Sequence, residues 1–181
     1  MNAAASDFVL DAHRRLRAAV PGLFFAVLKL LFAFGMGIVF GVNEDAVKTR
    51  LKDSAAEVRD TVYGGDDAAA KAVIDKSWVY MQRAHLHGGG LGATAVGLTL
   101  LVCLLSVSHL LIRLISLGLG LGGLGYSVYW MLAGFRAPEM GRTGAAKESL
   151  NWLAMPSSGA VVLATVLVAV VLLFTAVRKR P

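Results

Sequence analysis

Across residues 91–135 the only acidic or basic side chains are His109 and Arg113. A helix of that length, at ~1.5 Å of rise per residue, is about twice as long as the ~30 Å hydrocarbon core of a bilayer is thick. The stretch therefore folds as two antiparallel crossings with His109 and Arg113 at the turn between them. Its lead-in is polar and aromatic, Trp78-Val79-Tyr80-Met81-Gln82-Arg83-Ala84-His85-Leu86-His87, and ends on the triplet Gly88-Gly89-Gly90.

Two further runs, 21–42 and 158–177, are as apolar, which gives four crossings with 88–107 and 114–135 as the middle pair. The totals agree: 56% of residues are hydrophobic, 17% are charged and mean hydropathy is +0.64, outside the range of soluble domains. The expected fold is an all-α integral membrane protein, a four-transmembrane-helix bundle in a single domain. Residues 43–87 form an external helical hairpin that caps the bundle and leads into the second crossing. Asn43 is a cap, Val47, Leu51, Ala55, Val58 and Val62 recur at helical spacing, and Tyr63-Gly64-Gly65-Asp66-Asp67 is the turn. Residues 136–157 form a second external loop with an interfacial helix that carries Trp152 and Leu153.

Four crossings place both termini on one side, where Arg14-Arg15-Leu16-Arg17, Arg113 and Arg178-Lys179-Arg180 flank the spans, so that side is cytoplasmic. The expected location is multi-pass in a bacterial inner membrane. Residues 1–20 read as an amphipathic leader on the membrane surface, with Phe8, Val9, Ala12, Leu16 and Val20 among the arginines. The net charge of +6 sits beside the spans, which suits lipid headgroups and not nucleic acid. Cys103 is the only cysteine and falls inside a crossing, so it serves packing; an intrachain disulfide and a cysteine-rich metal site are excluded.

Small residues recur every fourth position at Ala33, Gly37 and Gly41, at Gly89, Ala93 and Gly97, and at Gly118 and Gly122. Such rows permit close helix contact, so the second and third crossings are expected to form the tight central pair. Tyr126, Tyr129 and Trp130 read as an aromatic belt at the outer interface. Lys29 lies within the first crossing, where it either extends along its stem to the headgroups or is buried for a function.

Residue types that bind metal gather at the outer mouth: Met81, His85 and His87, with Met140, Met155, Glu139 and Glu148 in the other loop. Imidazole with thioether suits copper, and His with Met or a second His is an axial pair for haem iron. Met81 and His85, four apart, share a helical face, whereas His85 and His87 diverge unless the glycines unwind the helix. Arg83 is placed to pair a propionate or a quinone oxygen. His109, far along the helix from His87, faces headgroups with Arg113. The run Arg83-x-His85-x-His87-Gly88 at a helix entrance resembles small bacterial membrane proteins related to haem-bearing oxidase subunits, over one short stretch that transfers no residue roles.

The chain contains no P-loop, no HExxH, no Ser/His/Asp set and no paired intramembrane carboxylates. Catalysis of its own is not expected. The expected function is a small membrane subunit that binds haem b or copper through His85, His87 and Met81 in a redox complex. The alternatives are a non-catalytic accessory subunit, packing on other membrane subunits or on its own copies, and a small transporter.

Overall fold

The computed structural model describes residues 3–177, with side chains from residue 9. The basic cluster Arg178-Lys179-Arg180 and the side chain of Phe8 lie outside the described residues. The described chain is helical, without strands: α1 (Ala3–Glu57), α2 (Arg59–Tyr63), α3 (Asp67–Cys103), α4 (His109–Leu117), a π-helical turn (Gly118–Gly122), α5 (Gly123–Met140), α6 (Thr143–Glu148) and α7 (Asn151–Val177). Four stretches are long and apolar enough to cross a membrane: Val9–Glu57, Asp67–Cys103, His109–Met140 and Asn151–Val177. The protein is accordingly of the multi-pass helical membrane class.

The leader is not a separate surface helix. It continues through Pro21 into the first span as one helix. Arg15 holds it in line by pairing with Asp11 at 2.8 Å and donating to the Leu105 carbonyl, while the Cys103 thiol points at the Arg15 carbonyl. These contacts tie the start of α1 to the end of α3, so the two helices run antiparallel. Asn43 breaks α1, with φ −137° and ψ 33°, at the position where the apolar run ends.

Beyond Asn43, the rest of α1, α2 and the first half of α3 form a helical hairpin. Gly64 and Gly65 make the reversal at φ +60° and +80°, backbone that glycine adopts without strain. Asp66 then caps α3, its carboxylate accepting from the amides of Ala68 and Ala69 at 2.9 Å. Arg59 braces the turn by donating to Asp60, Asp67 and the Gly65 carbonyl. The hairpin docks on the end of α5 through the Tyr63 hydroxyl, which donates to the Pro138 carbonyl at 2.7 Å. Burial pushes the Tyr63 phenol up, which keeps it a donor.

The spans pack through glycines on two opposed faces of one segment. Gly118, Gly122 and Gly125 lie against Ala160, Ala164 and Ser157 of α7. Gly120 and Gly123 lie against α1, where Gly120 meets the Gly22 carbonyl and Gly123 the Lys29 side chain. The π-helical turn inserts one extra residue here, and the glycines let two helices reach its backbone from either side. The row Gly118–Gly122 therefore packs on α7, not on α3 as the sequence suggested. Helix α3 packs on two neighbours: on α5, as expected of the second and third crossings, and on α1, where a side chain at Gly88 would come within 2.8 Å of Ala33 and one at Gly92 within 2.7 Å of Leu30.

Candidate functional site

Helix α3 stays regular through Gly88-Gly89-Gly90, which decides where its histidines point. His85 turns towards α1. Its Nδ1 donates to the Ala33 carbonyl at 2.9 Å, its ring lies edge-on to Phe40 at 5.9 Å, and Gly37 leaves the room it needs. A carbonyl only accepts, so Nδ1 carries a proton, and in the neutral ring Nε2 then holds the lone pair. His87, two residues on, faces α5: its ring lies 5.2 Å from Tyr126 and 6.3 Å from Trp130. The two histidines thus belong to different helix contacts.

Met81 is buried, 2% exposed, with its sulfur beside Gly134 of α5. Met140 and Met155 are exposed, as are Glu139 and Glu148. Arg83 stacks on aromatic rings, 4.9 Å from the Trp130 ring centre and 5.6 Å from that of Tyr80. Among the described residues no three His, Cys, Asp or Glu side chains gather as a metal ligand set. His109 and Arg113 are exposed at the start of α4, distant in the fold from His87.

What α3 and α5 do build is an inward aromatic cluster. Tyr80 and Tyr129 are buried, and both pack on Trp130, at 4.9 and 5.1 Å between ring centres. Tyr126 and Trp130 are half-buried, and with the buried Tyr129 they form one continuous aromatic face of α5. Below the cluster lies Lys29, with no exposed surface and no hydrogen-bond partner for Nζ. The Trp130 indole N–H is likewise buried without an acceptor. Lys29 is therefore not extended to the headgroups. A glycine at position 123 is what admits its amine to the core, since any side chain there would overlap Nζ. A central charge costs ~2.5–3.5 kcal/mol on insertion scales, so a lysine held this way is a costly feature.

No family model, curated protein or solved structure matches the chain.

The outward side of α3 contrasts with this committed interior. Ala93 and Gly97 are exposed, Gly90 and Gly97 have no atom within 4 Å of where a side chain would begin, and Gly89 only reaches Ala33 at 4.0 Å. Exposed Leu86 and Leu100 flank the strip. The close approach to α1 runs one residue earlier, through Gly88 and Gly92. Three consecutive glycines hide this register in the sequence, because either row satisfies the four-residue spacing.

Proposed function

We propose that the chain is a non-catalytic accessory subunit that packs on another transmembrane subunit through the outward strip of α3. The observation that supports this reading is the strip Gly89, Ala93 and Gly97: small residues at helical spacing, left open by the chain's own helices. In lipid, helices associate through close packing and not through apolar burial as such, and a shallow groove between leucines permits that approach. His85 and His87 serve the fold in this reading, one bridging α1 and the other seated against α5.

Gly97→Ile tests it. A native gel of gently solubilised membranes is expected to show the assembly lost or several-fold depleted in the variant, with the thermal unfolding of the isolated chain unchanged. An assembly of undiminished mass would refute the reading. His85→Ala and His87→Ala are expected to leave the assembly intact.

A haem b or copper site at His85, His87 and Met81 has less support, since His85 Nδ1 is engaged by Ala33 and Met81 is packed under Gly134. Its favourable feature is the free Nε2 of His85, the arrangement found in metal-binding histidines oriented by a backbone carbonyl. An absorbance spectrum and metal analysis decide it. Protein purified from cells supplied with haem and copper is expected to lack a Soret band and bound copper; either one present would favour the redox-associated subunit.

A further inference from the structure

The hairpin beyond Asn43 encloses a cleft of about 730 Å³ between the second part of α1 and the first part of α3, within the range of roughly 300–1,000 Å³ typical of ligand pockets. Its floor is apolar, formed by Leu51, Ala55, Ala70, Ile74 and Trp78. Its two edges differ in charge. The α1 edge carries Lys48 and Lys52, with Arg59 at the turn, and the α3 edge alternates Asp67, Lys71 and Asp75.

Most of these charges are already matched. Arg59 is paired with Asp67 at 2.6 Å, Lys71 with Asp75 at 2.6 Å, and Lys48 with Glu44. Among the described residues Lys52 has no carboxylate within ion-pair reach, and it stands one helical turn from Lys48, whose ammonium lies 5.1 Å over the Trp78 ring. We infer that the cleft binds a single-chain anionic amphiphile, a long-chain fatty acid, with its chain on the apolar floor and its carboxylate at Lys52 and Lys48.

Three features favour this occupant. The lining is mostly carbon, which suits an acyl chain. The unmatched charge on the rim is positive, which suits an acid over an alcohol or ester. The free donor is an ammonium, a point charge adequate for one carboxylate, whereas the one guanidinium on the rim, whose fork would grip a phosphate, is spent on Asp67, Asp60 and the Gly65 carbonyl.

The test uses the full chain in phosphatidylcholine nanodiscs and the quenching of tryptophan fluorescence by dibromostearate. Dibromostearate methyl ester, which partitions into the same bilayer without a charge, is the control. The expected result is saturable quenching by the acid beyond that by the ester, absent in Trp78→Phe and about tenfold weaker in Lys52→Glu, the loss of one charge-assisted contact. Lys52 is exposed, so that variant retains the fold. Equal quenching by acid and ester, wild-type affinity in Lys52→Glu, or saturable quenching by brominated phosphatidylglycerol in place of the acid would each overturn the assignment.

Discussion

Gly120→Ala is expected to unfold or misassemble the bundle, at a cost of about 3 kcal/mol or more. The added carbon would fall on the carbonyl oxygen of Gly22 and within 3.1 Å of the Ala26 nitrogen. Overpacking typically costs ~1–3 kcal/mol where side chains can yield, and here the obstacle is backbone on both helices, which cannot rotate aside. The helices would have to separate, taking with them the contacts of Gly118 and Gly122 on α7. Denaturant titration of the purified protein measures the effect, with Gly35→Ala as the matched control. Position 35 has nothing within 4 Å, so alanine there is expected to be neutral or to stabilise the helix by up to ~1 kcal/mol. Equal stability of the two variants would show that α1 and the π-helical turn do not meet at Gly22.

Lys29→Met is expected to act in the opposite direction, stabilising the protein by about 1–4 kcal/mol. Replacing buried ionic groups by hydrophobic residues of similar volume gains stability on this scale, and methionine fills the space of the lysine stem with flexible, apolar atoms. The gain comes from removing an amine that has no partner, while the stem's contacts with Gly123 and the neighbouring backbone are retained. The same titration reads it, as a higher unfolding midpoint. Destabilisation would mean that Nζ makes an interaction the bundle depends on.

These two positions also mark the limits of what the amino-acid order discloses. Four apolar runs of bilayer length, the break at Asn43 and the Gly-Gly-Asp reversal follow from local chemistry, and the described helices carry each of them. The contact of the second crossing with the third was legible, but the residues that make each helix contact do not follow. Residues 118–125 hold five glycines, so every side of that helix reads as a packing face, and only the three-dimensional arrangement assigns Gly118 and Gly122 to α7 and Gly120 to α1. Lys29 is ambiguous for a related reason. A lysine this far along a span is long enough to reach the surface, and the glycine that instead receives its amine lies on another helix, distant in sequence. His85 and His87 were legible as residues with divergent directions, since positions two apart on a helix cannot face one way. The contact each makes, with Ala33 and with Tyr126, was beyond any local pattern.

The π-helical turn makes Gly118–Gly122 a place where this span can change length. A π-helical turn holds one residue more than the α-helical turn it interrupts, so a chain shorter by one residue there would close the turn as α-helix. Tyr126, Tyr129 and Trp130 would keep their faces, and only the glycine contacts inside the turn would be remade. A deletion in the regular helix after Gly123 has no such reserve: a helix advances about 100° per residue, and everything beyond would be turned by that angle, away from Tyr80, Arg83 and His87. The glycine turn thus acts as slack in the chain, the one segment of the span where a residue can be lost without turning the aromatic face.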